Sequence, residues 1–144
     1  MVTQYASKQF TENLFNTREG IALGMSYFRE RGFNDAVLRK FEVGYCNEKR
    51  DDFSQKALNA GYKKEFLVQS GLTIEKENYL FDRFAGRIMF PIHSLSGQVL
   101  GFGGRIIKSD PRSAKYVNTP ETELYHKSRI VYGIFQARQA ILHA

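Results

Sequence analysis

The first 31 residues carry apolar side chains at the spacing of a helix face. The positions are Phe10, Leu14, Phe15, Ile21, Met25 and Phe28. Within each half of this segment they recur mostly three or four residues apart, which is the period of an amphipathic α-helix. Gly20 and Gly32 stand where helices commonly break or end. The pattern therefore predicts two helices over residues 6–31.

Three further short helices and one strand are predicted next. Asn34 is a favourable N-cap residue for a helix that runs through Lys40. Apolar side chains fall on one face in residues 51–60 and again in residues 63–70, and a glycine follows each segment, as is common at helix C-termini. Residues 41–45 alternate apolar and other side chains, which is typical of a strand.

After residue 71 the pattern changes to that of strands. The predicted strands are residues 72–75, 87–92 and 98–108. Residues 94–97, Ser-Leu-Ser-Gly, have the composition of a hairpin turn between the last two. Pro91 cannot donate a ladder hydrogen bond, so its strand should lie at an edge or beside a bulge. Residues 134–143 are again predicted to be helical.

This order of elements predicts an α+β fold. Short helices of the first half would pack on a mixed, largely antiparallel sheet built from the second half. A chain of 144 residues with 42% hydrophobic side chains can build one ordinary domain. We therefore interpret residues 1–144 as a single domain.

The charge of the chain favours an anionic partner. It carries 21 Lys and Arg against 15 Asp and Glu, a formal net charge of +6. Such an excess attracts polyanions at long range and through counterion release, although many basic proteins bind no nucleic acid.

Several classes of function are disfavoured by what the sequence lacks. Cys46 is the single cysteine, so neither an internal disulfide nor a tetrahedral zinc site is expected. No apolar run approaches the roughly 20 residues of a membrane helix, and the first residues do not resemble a secretory signal. We expect a cytoplasmic protein that binds no membrane.

Residues 101–105, Gly-Phe-Gly-Gly-Arg, are the first candidate for binding chemistry. The glycines lie within a predicted strand and do not open a helix, so they are not a dinucleotide-binding loop. Glycines in a strand often allow close packing or a bulge. The alternative is a single-strand track, since Arg105, Lys115, Tyr116 and Asn118 could neutralise phosphates, stack on bases and bond to sugars. The residue pattern leaves both interpretations open.

Asp82, Arg83 and Arg87 form a second charged group just before a strand. An internal pairing of Asp82 with either arginine and a contact of the arginines with phosphate are both compatible with this spacing.

No catalytic residue is predicted in this chain. The histidines are scattered, and Asp51–Asp52 and the pair Glu121 and Glu123 are more typical of helix termini than of a metal site. Cys46 has no adjacent base that would make it a nucleophile.

Several ordered motifs together resemble one family. They are Asp-Arg-Phe at 82–84, Gly-Arg-Ile-Met-Phe-Pro-Ile at 86–92, Gly-Phe-Gly-Gly-Arg at 101–105, Lys-Tyr-Val-Asn-Thr-Pro-Glu-Thr at 115–122, Tyr-His-Lys at 125–127 and Val-Tyr-Gly at 131–133. Arg-Gly-Phe at 31–33 and Phe-Glu-Val-Gly-Tyr at 41–45 extend the match towards the N-terminus. The chain resembles the N-terminal part of the catalytic core of bacterial DnaG-type primases over almost its whole length.

The resemblance implies a parent enzyme that copies single-stranded DNA into short RNA primers at the replication fork. In the family, a zinc-binding domain that holds Zn²⁺ precedes the core, and a Toprim part that holds Mg²⁺ or Mn²⁺ follows. A C-terminal region binds the replicative helicase. We expect this chain to stop before the Toprim part, to bind no cofactor itself and to be inactive alone as a nucleotidyltransferase. Its partners would be template DNA, the RNA–DNA heteroduplex and nucleoside triphosphates, in the nucleoid region of the cytoplasm.

The resemblance also implies which residues line the template groove. The family's basic and polar positions fall on Lys40, Arg105, Lys115, Tyr116, Asn118 and Lys127, with Arg83 and Arg87 added to them. Ala114 and Ser128 depart from the family pattern, and the loop at 109–113 is slightly long, which affects the placement of Lys115 relative to Arg105. A non-catalytic nucleic-acid-binding module and a protein-docking domain remain the alternatives.

Overall fold

The structure is a computed structural model that describes residues 2–108 and 110–120. The helix predicted for residues 134–143 lies outside the described residues. In the described part of the chain the helices are α1 (Val2–Asn16), α2 (Ser26–Glu30), α3 (Asp35–Lys40), α4 (Asp52–Asn59) and α5 (Lys64–Gln69), and a π-helical segment spans Gly20–Met25. The strands are β1 (Gly44–Tyr45), β2 (Thr73–Lys76), β3 (Tyr79–Asp82), β4 (Arg87–His93), β5 (Val99–Ile106) and β6 (Tyr116–Asn118).

The boundary between the first two helical segments differs from the prediction. The chain bends at Thr17, and the π-helical segment beginning at Gly20 continues directly into α2. A β-carbon at Gly20 would overlap the carbonyl oxygen of Asn13, so glycine is required here for close packing and not as a helix end. Gly32, with φ of +82°, follows the C-terminus of α2 as predicted.

The strands form two antiparallel sheets. The larger sheet has the order β1-β4-β5-β6, and β2 and β3 form a separate hairpin. All pairings among the described residues are antiparallel. The predicted α+β class is confirmed.

The predicted turn and edge features of β4 and β5 are confirmed. Gly97 adopts φ of +85° and its amide donates to Ser94, which closes the turn between the two strands. Pro91 lies beyond the two-residue β1, so no strand of the described residues pairs with that side of β4 there, and a bulge follows at Ile92/His93.

Three strand predictions were incomplete, since the short β6 was also not predicted. The strand expected at residues 41–45 is reduced to β1, because Glu42 adopts the left-handed region with φ of +56°. β3 was missed, because its turn with β2 contains Glu77 at φ of +56° and no glycine or proline that marks a hairpin.

One side of the larger sheet, which we call the α1 face, is covered by α1, α4 and α5. It carries Met89, Phe102 and the partly buried Val117. The ring of Phe10 on α1 lies 5.3 Å from the ring of Phe102 in an edge-on arrangement. α1 approaches the backbone of β1 directly, since a β-carbon at Gly44 would lie 2.5 Å from the carbonyl carbon of Phe10.

The other side, which we call the α2 face, is covered by α2, α3 and part of the π-helical segment. Tyr45, Ile88 and Phe90 of the sheet pack there with Phe28 and Leu38 of the helices. Asn34 accepts a hydrogen bond from the amide of Val37 at 2.9 Å and caps α3, as predicted. Within the described residues, no helix is long and apolar enough to cross a membrane.

Asp82 joins the β2–β3 hairpin to the N-terminus of α4. Its carboxylate accepts hydrogen bonds from the amides of Phe53 and Ser54 at 2.8 Å each, and from the Ser54 hydroxyl at 2.6 Å. The side chain is only 7% exposed. Among the described residues Asp82 forms no ion pair with Arg83 or Arg87, so neither internal pairing that the sequence allowed is formed.

Asp82→Asn is expected to change how stability depends on pH. Burial raises the pKa of the Asp82 carboxyl to about 6, although three donors favour its ionised form. Because this folded-state pKa exceeds the ordinary value near 3.8, the carboxyl's contribution to stability is largest at low pH and falls as pH rises from about 4 to 6. The difference corresponds to an energy on the order of 3 kcal/mol.

Urea unfolding of the parent and of Asp82→Asn between pH 4 and 7 measures this effect. The variant loses one acceptor at every pH, but the parent should lose stability relative to it as pH rises. A difference between the two proteins that stays constant with pH would mean that the helix amides keep Asp82 ionised throughout.

Candidate nucleic-acid interface

The β5–β6 edge of the sheet brings three of the predicted site residues onto the α2 face. Arg105 in β5 lies between Ile88 of β4 and Tyr116 of β6. Residues directly opposite each other in antiparallel strands project to the same face. Asn118 is paired with Gly103 and projects to that face too. Tyr116 is 36% exposed and Asn118 is exposed.

Cation–aromatic contacts hold this edge together. The guanidinium carbon of Arg105 lies 5.6 Å from the ring centre of Tyr116 and 5.1 Å from that of Tyr27. The amine of Lys115 lies 5.7 Å from the Tyr116 ring. Lys115 is fixed by its backbone, because its carbonyl accepts from the Ile106 amide at 3.0 Å. Arg105, Lys115 and Tyr116 therefore form one group, despite the long preceding loop.

Arg31 adds a third cation to this group. Its guanidinium carbon lies 3.6 Å from the ring centre of Tyr27, and its Nη1 donates to the Tyr27 carbonyl at 3.1 Å. One aromatic ring thus contacts both Arg31 and Arg105. We call Arg31, Arg105 and Lys115, with the rings of Tyr27 and Tyr116, the basic cluster.

Tyr27 and Arg31 were missed as site residues in the sequence. Their spacing of four residues is a weak signal, since side chains at i and i+4 meet on a helix. That signal does not show which side of α2 meets the sheet. The π-helical segment before α2 shifts the helix phase, so apolar spacing upstream does not fix the direction of Tyr27.

The electrostatics of the basic cluster favour an anionic ligand. Burial raises the pKa of Tyr27, against the opposite effect of Arg105 and Arg31, so the phenol stays neutral. Within residues 2–108 and 110–120, no carboxylate lies within ion-pair distance of Arg105 or Lys115. Arg31 has one distant partner, Glu30 at 3.9 Å. An anion at this edge would meet Arg105 and Lys115, which have no ion-pair partner among the described residues.

The glycines of β5 serve packing. The positions that β-carbons would take are occupied by the Phe90 ring and the Asn118 side-chain oxygen at Gly103, and by the Phe84 ring at Gly104. Of the two interpretations that the sequence left open, close packing applies to these two glycines. Gly103 allows Asn118 to lie against the sheet.

Lys40 and Arg83 do not join the basic cluster through any described contact. Lys40 is exposed at the end of α3, with its amine 5.7 Å from the ring of Phe41. The Nε of Arg83 donates to the carbonyl of Gly71 at 2.6 Å. Their roles in binding stay predictions.

Arg87 has a structural position. It is 7% exposed, and its Nη1 donates to the Lys115 carbonyl at 3.2 Å. Burial lowers the pKa of its guanidinium. It alternates with Ile88 along β4 and so projects to the α1 face, away from Arg105. This position gives no support to a phosphate contact. The hydrogen bond from Arg87 instead fixes the segment that carries Lys115.

Lys127 lies outside the described residues.

Metal-ligating side chains are not grouped in the described part of the chain. Among residues 2–108 and 110–120, no three His, Cys, Asp or Glu side chains lie together in a way that could hold a metal ion. The interface built by these residues therefore supplies positive charge and aromatic surface.

Comparison with known proteins identifies the family. Residues 9–138 match the family model for the N-terminal domain of the DNA primase catalytic core. The DNA primase of Salmonella typhimurium is 35% identical over 114 residues, which are 78% of this chain and 19% of that protein. The chain thus spans about a fifth of the length of this curated relative.

Solved structures agree with this match. The RNA polymerase domain of the Mycobacterium tuberculosis primase DnaG has a TM-score of 0.79 and 35% identity, over 97% of this chain and 45% of that one. A DnaG primase catalytic domain bound to single-stranded DNA has a TM-score of 0.79 and 28% identity, over 96% and 42% of the two chains. The family resemblance of the sequence motifs is confirmed, and the chain belongs to the family of N-terminal domains of the DNA primase catalytic core.

Proposed function

We propose that this chain is the part of a DNA primase that holds the single-stranded template while short RNA primers are made. The observation that carries the proposal is the basic cluster, in which three cations lie around two aromatic rings at the edge of the sheet. A similar primase catalytic domain has been solved with single-stranded DNA bound, which supports the same ligand here. The parent's other partners, namely nucleoside triphosphates, the RNA–DNA heteroduplex and the replicative helicase, belong to the same proposal.

Each residue of the interface has a chemical role in this proposal. Arg105, Arg31 and Lys115 neutralise backbone phosphates, for which the planar guanidinium is well suited. The exposed Tyr116 ring offers a stacking surface to a base. The amide of Asn118 hydrogen-bonds a base edge or a sugar. All of these roles position the template, and positioning alone lowers the barrier of a bimolecular reaction.

The nucleotidyl transfer itself belongs elsewhere in the parent protein. Divalent metals in the Toprim part would activate the attacking hydroxyl and stabilise the leaving phosphate. Among the described residues no carboxylate group fits such metals. The described residues supply binding groups, and we expect the chain on its own to lack the transfer step.

Binding of a labelled single-stranded oligonucleotide across a salt series tests the proposal. Log K should fall by about 0.7 per neutralised phosphate for each tenfold increase in salt. Arg105→Ala with Lys115→Ala should weaken binding at low salt about 30-fold or more, and should reduce the slope by about 1.4, because two phosphate contacts are lost.

The matched control removes the same charge from the other side of the sheet. Lys8 on α1 and Lys63 before α5 are both exposed, and both belong to helices on the α1 face. Lys8→Ala with Lys63→Ala should leave the slope nearly unchanged. Equal losses in the two double variants would mean that binding follows net charge alone. If the parent chain does not bind the single-stranded oligonucleotide, the result would instead favour a protein-docking domain.

A further inference from the structure

The β2–β3 hairpin has one buried side and one side that is not covered by the rest of the described chain. Thr73 and Asp82 pair across the strands and contact Ser54 of α4. Ile74 pairs with Phe81, one position along, and therefore projects to the opposite side. Lys76 and Tyr79 form the next pair on that outer side.

Arg50 lies beside β3, and its side chain packs on the same outer side. Its guanidinium carbon lies 4.5 Å from the ring centre of Phe81. Its backbone is held in place, because the carbonyl of Arg50 accepts from the amide of Asp82 at 2.6 Å. We call Arg50, Ile74, Lys76, Tyr79 and Phe81 the hairpin face.

The hairpin face combines exposed aromatic surface with positive charge. Tyr79 is 66% exposed, and its ring is stacked with that of Phe81 at 6.2 Å and 26°. The two charged residues of the face, Arg50 and Lys76, are cations and both are exposed. The acidic Glu75 of β2 projects to the other side, where it pairs with Lys64 at 2.8 Å. The acidic residues next to the face in the chain include Glu77, in the turn between the strands, and Asp51, which follows Arg50.

We propose that the hairpin face is a second contact surface for single-stranded nucleic acid, distinct from the basic cluster. Bases stack on exposed aromatic rings independently of sequence, and a nearby arginine adds both charge and a planar surface. A single strand passing over Tyr79 would place a base on its ring and its phosphates beside Arg50 and Lys76. The inference rests on the proposed function, since it assigns to this chain a second contact with the same single-stranded ligand.

Charge decides between this ligand and an apolar protein partner. Covering the face with an apolar surface, or with a second copy of the same face, would remove Arg50 and Lys76 from water while the partner supplies no opposite charge, which is unfavourable. A polyanion instead supplies a negative charge near each of them. The stacked rings and the two cations are therefore matched to one class of ligand.

Photo-crosslinking with a single-stranded oligonucleotide that carries iododeoxyuridine tests the proposal directly. This base reacts on irradiation with aromatic side chains on which it stacks, and peptide mass spectrometry locates the adduct. We expect adducts on Tyr79 or Phe81 as well as on Tyr116. Adducts confined to Tyr116 and its neighbours would overturn the assignment of the hairpin face.

Binding of variants gives a second, independent measurement. Tyr79→Ala should lower affinity for a long single strand about tenfold, whereas Tyr79→Phe should retain it because the ring remains. Arg50→Lys should lose part of the affinity although the charge is kept. Leu95→Ala is the matched control, because Leu95 is 63% exposed and lies in the turn between β4 and β5.

The two proposals fail in different ways. If Arg105→Ala with Lys115→Ala weakens binding and Tyr79→Ala does not, the template proposal stands and the hairpin face is not a contact. If neither weakens binding, both are wrong. If the hairpin face instead binds a second copy of the chain, sedimentation would reveal a concentration-dependent dimer that Tyr79→Ala dissociates. That result would overturn the nucleic-acid assignment.

Discussion

Gly44→Ala is expected to lower the free energy of unfolding by about 3 kcal/mol, because the added methyl group has no room between β1 and α1. A β-carbon at this position would lie 2.5 Å from the carbonyl carbon of Phe10 and 2.6 Å from its oxygen. Both are backbone atoms in the middle of α1, so no side-chain rotation relieves the contact. The helix would have to move away from β1.

Displacement of α1 would disturb the core on the α1 face. Phe10 packs against Phe53 at 5.0 Å as well as against Phe102, so α4 and the sheet would lose contacts together. Urea unfolding at neutral pH measures the loss. Because α1 does not touch the basic cluster through any described contact, residual folded protein should retain its affinity for DNA.

Gly97→Ala is the control for Gly44→Ala. Gly97 has positive φ, but nothing lies within 4 Å of the position that its β-carbon would take. Its substitution should cost only the strain of the left-handed conformation, about 1 kcal/mol. Gly44 is not among the glycines with positive φ, so equal losses at the two glycines would show that α1 moves away from β1 at little cost.

Gly44 also marks what could and could not be predicted about the fold from the sequence. Alternation placed it in a strand, and alternation with a glycine-containing turn correctly predicted β4 and β5. These signals are local. The requirement for glycine at position 44 comes from a helix more than 30 residues earlier in the chain, and no local pattern reports it. The missed β3 has the same kind of cause, since pairing with β2 and the contact of Asp82 with α4 stabilise a strand that lacks a marked turn.

The candidate site divides in a similar way. Arg105, Tyr116 and Asn118 were selected by residue type and by the family resemblance, and the in-register pairing of β5 with β6, which the sequence did not predict, brings their side chains onto one face. Arg31 reaches the same place from a helix, through the ring of Tyr27. Arg87 shows the converse case, because a cation close to the motif in sequence alternates to the buried side of its strand. Charge and sequence spacing identify candidate binding residues. The face of the helix or strand on which each side chain lies determines which of them reach the interface.

Arg31→Ala with Arg105→Ala is expected to reduce the affinity for single-stranded DNA about 100-fold at low salt, more than any other pair of substitutions considered. Each arginine is in a position to form a charge-assisted bond to phosphate, and loss of such a bond costs about 1.5–3 kcal/mol. Each single variant should cost about tenfold. The slope of log K against log salt should fall by about 1.4 for the pair.

The paired lysine variants separate charge from geometry at this position. Arg31→Lys with Arg105→Lys keeps both charges but replaces the planar groups that lie against Tyr27. If the ring aligns the two guanidinium groups on the template, the lysine pair should keep the salt slope and still lose about tenfold in affinity. If the lysine pair binds like the parent, charge alone is sufficient and Tyr27 has no positioning role. If Arg31→Ala changes neither affinity nor slope, Arg31 only packs against Tyr27, and the template contacts are confined to the β5–β6 edge.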